Sequence, residues 1–164
     1  MTLTYDAAVD EMFGQFRAAW IAGSAAIVGY VPEVRWPGVE PKNPDGSLKK
    51  PESDKYWARV SQQGVDDEQT SLSACVESNE IGATLPASRF TAIGLLFVQL
   101  FCPKTDPQGV ELGRKLASLS QRAYRGKKTS GGVWFRNVRI IEVEDEELWH
   151  RFNVVAEYEY DEVA

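Results

Sequence analysis

The sequence predicts an α+β fold in which a mainly antiparallel, twisted β-sheet carries two α-helices packed on one face. Two stretches have apolar residues at spacings of three and four, and several others alternate or are rich in β-branched and aromatic residues. The connections between predicted strands are too short for parallel crossovers, except the one that contains the second helix. At 164 residues the chain has the size of one domain, so residues 1–164 are predicted to form a single domain.

The first predicted helix covers residues 5–22. Its apolar residues form one stripe, and they are Val9, Met12, Phe13, Phe16, Ala19 and Trp20. Residues 25–36 are rich in β-branched side chains and contain Pro32, which favours extended chain. Residues 37–54 hold four prolines, an Asp-Gly pair and three lysines, so they are predicted to form a long, exposed, Pro-rich loop insertion. Loops of this length are usually either functional or disordered, and two alternatives stay open: a tolerated surface insertion, or an arm that becomes ordered against a neighbouring molecule.

The middle of the chain predicts strands separated by polar turns. Residues 56–62 form a strand that ends near Gly64, and Asp66, Asp67 and Glu68 follow as a solvated turn. A shorter strand is expected at 72–76 and a loop at 78–88. Residues 89–101 are the most β-prone stretch and should be the central strand, in which Gly94 indicates a bulge or a close approach of the backbone.

The last third of the sequence predicts a helix followed by a hairpin. Residues 110–124 repeat leucine and alanine at helical spacing, and a group of cations at 122–128 lies where a helix C-terminus favours positive charge. Strands at 133–143 and 149–160 are joined by an acidic turn at 144–147. Because the last strand alternates apolar and polar residues, one face of the sheet should be solvated.

Charge and composition exclude several classes of function. The net charge of −6 has the wrong sign for affinity to duplex DNA, and no apolar run reaches the length of a membrane span. The first nine residues have no basic side chain, so we expect no secretory signal and a reducing cytoplasm. Cys75 and Cys102 are then expected to be reduced and buried.

The residue types that carry catalysis are nearly absent. His150 is the only histidine, so neither a Ser or Cys nucleophile with a histidine base nor a tetrahedral zinc site is expected. The acidic runs are typical of solvated turns, and no Gly-rich loop precedes a helix. We therefore predict no catalytic residues, no metal and no cofactor. Aromatic side chains at strand ends remain, and they fit either a core or a protein interface.

The sequence contains three local signatures. The first is residues 89–103, RFTAIGLLFVQLFCP, with its Arg-aromatic start, its mid-strand glycine and its Val-Gln-hydrophobic-Phe-x-Pro end. The second is Gly109, which leads into the second helix, and the third is residues 149–161, with Phe152-Asn153-Val154 and Tyr158-Glu159-Tyr160-Asp161. These signatures and the order of the elements resemble the tail terminator family of siphophages, the long non-contractile-tailed phages, and the likeness covers most of the chain.

The resemblance implies a structural virion protein without enzyme activity. Family members form a homohexameric ring that caps the tail tube, ends tail polymerisation and provides the head–tail joining surface. The implied partners are further copies of the chain, the tail tube protein and the head–tail connector or neck protein. Genomic DNA passes through the ring without specific binding, and no membrane is involved. The implied location is the tail-neck end of the virion, after assembly in the host cytoplasm.

On this interpretation, two groups of residues are predicted to make contacts. The subunit or tube interface is predicted at the loop 37–54 and at Trp36, Lys49, Lys50, Tyr56 and Trp57. The lining of the DNA channel is predicted at Asp66, Asp67, Glu68, Glu144, Asp145, Glu146 and Glu147. Two alternatives stay open: another neck, head-completion or tail-tube structural protein, and a small cysteine-dependent hydrolase that uses Cys75 or Cys102.

Overall fold

A computed structural model of the chain describes residues 3–71 and 88–163. The elements in chain order are α1 (Tyr5–Gly23), α2 (Ala25–Val28), β1 (Glu33–Arg35), β2 (Trp57–Ser71), β3 (Arg89–Pro103), α3 (Gly109–Tyr124), β4 (Trp134–Val143) and β5 (Trp149–Val163). The strands form one five-stranded sheet in the order β1-β2-β3-β5-β4. The predicted α+β class is confirmed. The strand predicted at 72–76, the loop at 78–88 apart from Ser88, and Cys75 lie outside the described residues.

The core lies between the two long helices and one face of the sheet. Along α1 the fully buried residues are Ala8, Met12, Phe16 and Trp20, one per helical turn. They share one apolar cluster with residues of α3 and with the even-numbered residues of β3 and β5. The alternation predicted for the last strand is confirmed, because Phe152, Val154 and Ala156 are buried in this cluster. We call the opposite side of the sheet the helix-free face.

Three pairs of neighbouring strands are antiparallel, and the pair β1–β2 is parallel. The expectation that only the helical connection crosses over is therefore wrong. Residues 36–56, which contain the Pro-rich loop, are long enough to return the chain to the same end of the sheet. Residues 25–28 are also not extended. They form one helical turn that ends at Gly29, whose φ of 86° suits glycine.

The strand β2 continues through the residues predicted as an acidic turn. It is paired with β3 from Trp57 to Ser71, and Asp66, Asp67 and Glu68 lie opposite Ile93, Ala92 and Thr91. A register shift between Gly64 and Asp66 takes up the extra residue and lets the ladder resume. The prediction of a turn at residues 66–68 is wrong because pairing with a long central strand outweighs the weak β-propensity of acidic residues.

Gly94 is the point of close approach that the sequence predicts. The bulge lies in the partner strand β2, while β3 pairs without a shift. A β-carbon at Gly94 would overlap the ring of Tyr158 and would lie 2.5 Å from the carbonyl oxygen of Gln63. Only glycine therefore allows β3 to pass under the phenol ring at this position.

Candidate functional site

The three aromatic residues of the predicted interface have different environments. Trp36 is half-buried, with its ring 5.3 Å from the ring of Phe13 and 5.0 Å from the guanidinium carbon of Arg17. Tyr56 and Trp57 are only 4% and 6% exposed. Their rings pack inside the subunit. Of these three residues, only Trp36 therefore has side-chain surface that a partner could contact.

Lys49 and Lys50 are exposed in a Pro-rich loop that is ordered on its own subunit. The carbonyl oxygen of Lys49 accepts a hydrogen bond from Arg35 Nη2 at 2.8 Å, and its main-chain nitrogen donates to the carbonyl oxygen of Pro41 at 2.8 Å. Lys42 and Leu48 form an antiparallel bridge within the loop. Between the loop and residues 59–61 of β2 there is an open cleft of about 680 Å³.

Trp57 belongs to a small aromatic cluster on the helix-free face. Its ring stacks on Phe101 with the centroids 3.9 Å apart, and Trp149 packs edge-on at 6.1 Å. The guanidinium groups of Arg35, Arg59 and Arg151 lie 5.3 to 5.5 Å from these rings. Cation–π contacts of this kind cover the aromatic faces without a second layer of protein. The cluster explains why Trp57 is buried although no helix lies over it.

The acidic residues of β2 are exposed and project to both faces of the sheet. Asp66 and Glu68 lie on the helix-free face, and Asp67 lies on the other, near Tyr160. Burial raises the pKa of the Tyr160 phenol, and the charges of Glu162 and Asp67 raise it further. Within the described parts of the chain, none of these three carboxylates has a cation within ion-pair distance.

The second acidic run is the exposed connection between β4 and β5, which confirms the predicted hairpin. Asp145 Oδ2 lies 2.9 Å from His150 Nδ1, and Glu146 Oε1 lies 2.9 Å from Arg151 Nη1. Glu144 and Glu147 have no ion-pair partner in the described residues. Two of the four carboxylates are therefore bound to the start of β5, and the other two face solvent.

Cys102 does not have the environment of a nucleophile. Its side chain is fully buried, and burial, together with the charge of Asp106, raises the thiol pKa to about 12. A thiol with such a pKa is protonated at neutral pH, whereas the thiolate is the reactive form. His150 is its cross-strand neighbour, but its Nδ1 is within hydrogen-bond distance of Asp145.

A group of cations lies at one edge of the sheet, where sequence reasoning did not place it. Arg122, Arg125, Lys127 and Lys128 are exposed at the end of α3 and just beyond it. Lys128 forms an antiparallel bridge with Trp134, the first residue of the edge strand β4. The sequence indicated only a helix end, because the bridge between residues 128 and 134 depends on the turn at 129–133.

Over residues 3–71 and 88–163 there is no group of three or more His, Cys, Asp or Glu side chains that could hold a metal ion. No helix in those ranges is both long and apolar enough to cross a membrane.

Comparison with known proteins supports the fold alone. No protein-family model matches the chain, and no curated protein matches it. One solved structure, of a protein whose own name states no function, is similar with a TM-score of 0.53 and 13% sequence identity over 95% of each chain. At that identity the likeness concerns the fold alone.

Proposed function

We propose that this chain is a structural protein of a siphophage virion, a tail terminator whose copies form a homohexameric ring on the tail tube. The observation that carries the proposal is the position of the two segments that resemble that family. Residues 89–103 and 149–161 form the central strands β3 and β5, which pair over their whole length, and α3 follows the first of them. The resembling segments thus form one continuous unit of the fold.

In this proposal the protein works through surfaces and has no enzyme activity. The ring binds the last layer of the tube, and polymerisation stops because its far face does not imitate a tube subunit. That far face is the joining surface for the head–tail connector. Genomic DNA passes through the ring, and a net charge of −6 disfavours tight binding to it. We assign the exposed carboxylates of residues 144–147 to the channel, at the tail-neck end of a virion assembled in the host cytoplasm.

The test is a deletion of the gene in the phage or prophage genome that encodes it. Without a terminator, tubes should grow to irregular lengths and should remain without heads. Purified chain added to such an extract should restrict tube length and restore head joining. Electron micrographs that show normal, head-bearing tails in the deletion strain would overturn the proposal.

A head-completion protein is the closest competing function, because it shares ring assembly. The two are separated by incubating purified chain with headless tails and with tailless heads from the same genome. A tail terminator binds the tube ends. Binding to the heads alone would show that the chain belongs to the head side of the neck.

A further inference from the structure

The two outer edges of the described sheet have opposite charge. Beyond Arg59, no described strand pairs with the outer side of β2, and this side carries Asp66, Asp67 and Glu68, which we call the acidic edge. At the other end of the strand order, β4 and the chain beside it carry Arg136, Lys127 and Lys128, which we call the basic edge. Unpaired sheet edges favour association with another chain.

The two edges lie at the same level along the strands. Asp66 is the partner of Ile93, Ile93 is the partner of Glu159, and Glu159 is the partner of Trp134. This row crosses four strands and ends beside Lys128, which is bridged to Trp134. If the sheet of a second copy is placed beside the first with no shift along the strand direction, the acidic edge of one copy meets the basic edge of the other.

The strand directions also fit such a contact. Each of the pairs β2–β3, β3–β5 and β5–β4 is antiparallel, so β2 and β4 run in opposite directions. Beyond Trp134, whose outer side is bridged to Lys128, the β4 strand of one copy placed beside the β2 strand of the next therefore continues the antiparallel alternation. Such a contact joins two different surfaces of the chain and is therefore heterologous. Heterologous contacts form a closed ring when the rotations between successive copies add up to a full turn.

Most of the charges at the two edges are available for a partner. Glu157, Glu159 and Asp161 are each paired with an arginine of the same chain, and the arginine bound to Glu159 is Arg136 of the basic edge, which is therefore already paired. By contrast, the acidic edge has no such partner within the described residues, and neither Lys127 nor Lys128 has a carboxylate within 4 Å there. Opposite charge of this kind sets the orientation and the speed of association.

Irregular backbone at both edges limits the main-chain hydrogen bonds that a contact between two copies could form. In β2 the register shifts between Gly64 and Asp66, and in β4 it shifts between Arg136 and Arg139. Asn137, within the second shift, has a φ of 49°. Bulges disrupt a regular ladder of hydrogen bonds. The contact must therefore depend mainly on side-chain charge.

We infer that the acidic edge of one copy binds the basic edge of the next copy, and that this is the contact that closes the ring. The inference rests on the proposed function for the existence of a ring, and it adds the two surfaces that meet. Asp66 and Glu68 face Lys128 on the helix-free face, because Lys128 is bridged to Trp134 and Trp134 is the register partner of Glu159 on that face. The contact weakens with salt, because the screening length falls from about 10 Å at 0.1 M to about 3 Å at 1 M.

Charge reversal of each edge gives the test, with mass measured by light scattering after size exclusion. Asp66→Lys/Asp67→Lys makes both edges basic, and Lys127→Glu/Lys128→Glu makes both acidic. Each variant alone should elute as a folded monomer of 18.3 kDa. An equimolar mixture of the two should recover the wild-type mass, because each reversed edge then meets an opposite charge. All four substitutions in one chain should recover it as well.

The matched control is Glu144→Lys/Glu147→Lys, which changes the charge by the same amount as the acidic-edge variant, away from both edges. Its mass should equal that of the wild type. The inference is overturned if the edge variants keep the wild-type mass, if the mixture stays monomeric, or if the wild-type chain is itself a monomer. A ring that survives edge reversal, in a chain that still restores tail length, contradicts this contact and leaves the proposed function intact.

Discussion

The hydroxyl group of Tyr56 donates a hydrogen bond to Asp106 Oδ2 over 2.7 Å, which ties the start of β2 to the turn before α3. Burial raises the pKa of Tyr56 well above its ordinary value, and the bond to Asp106 raises it further, so the phenol remains a donor. Asp106 Oδ1 also accepts the main-chain N–H of Gln108 at 2.9 Å, just before the helix. One carboxylate therefore joins a strand and a helix N-terminus, which explains why an aromatic residue that could have been an interface residue lies inside the subunit.

We predict that Tyr56→Phe lowers the free energy of unfolding by about 1 kcal/mol, because the ring still packs but Asp106 loses a donor. Urea titration at a fixed chain concentration measures the change. Tyr5→Phe is the control, because Tyr5 is 57% exposed and its hydroxyl accepts only a solvent-exposed hydrogen bond from Gln62, so the loss should stay within about 0.5 kcal/mol. Equal stability of the two variants would show that the Tyr56 bond contributes nothing.

Gly94→Ala should destabilise the chain by about 1–3 kcal/mol, because the added β-carbon meets Tyr158 and the main chain of Gln63. Gly14→Ala is the matched control, with no atom within 4 Å of the added carbon and a position inside α1. It should stabilise by up to about 1 kcal/mol, since alanine favours a helix over glycine. Thermal unfolding of both variants measures the difference, and a neutral Gly94→Ala would contradict the close approach.

The thiol of Cys102 should resist labelling in the folded protein. In a Cys75→Ser background, a disulfide reagent at pH 8 should react with Cys102 only after urea unfolds the chain, because the thiol is buried and its pKa is about 12. Rapid labelling without urea that is abolished by Cys102→Ser would contradict this burial and would support the hydrolase alternative.

The carboxylate of Asp161 should make a pH-dependent contribution to stability. It accepts hydrogen bonds from Arg89 and Thr91, and the bond from Arg89 is the main cause that lowers its pKa below 3.8. A lowered folded-state pKa gives stability that is present above the unfolded pKa and is lost as pH falls through the folded pKa. Asp161→Asn should therefore have a lower urea midpoint than wild type at pH 7.

The difference between Asp161→Asn and wild type should shrink below about pH 4, where the carboxyl group of the unfolded wild-type chain begins to bind a proton. Glu147→Gln is the control, because Glu147 is exposed and has no ion pair within the described residues. Its urea midpoint should follow that of wild type at every pH. A difference for Asp161→Asn that stays constant down to pH 2 would contradict the role of its charge.

The sequence predicts the parts of the fold that local patterns control. The stripe on α1 and the alternation in β5 are periodic in the sequence itself, so the two helices and the hairpin were predicted nearly to their ends. The full length of β2 was not predicted from the sequence, because the pairing of Asp66 with Ile93 depends on a strand that begins more than twenty residues later. The parallel pairing of β1 was also missed, since a three-residue strand gives almost no pattern.

The candidate site was harder to predict than the fold, for a physical reason. Burial of Tyr56 and Trp57 depends on Asp106 and on Phe101, which are distant in sequence. The position of Lys128 beside Trp134 depends on a turn, and the shared level of Asp66 and Trp134 depends on the register of three strand pairs. Charge patterns show which residues are exposed, and only the topology shows which edge they occupy.

The central claim is that this chain works as one subunit of a closed ring, and its native mass tests this most directly. Sedimentation velocity over a range of concentrations should show a single assembly of six times the 18.3 kDa chain mass at 0.1 M salt, with dissociation at 1 M salt. A species that remains at 18.3 kDa at the highest concentration and the lowest salt would contradict the account.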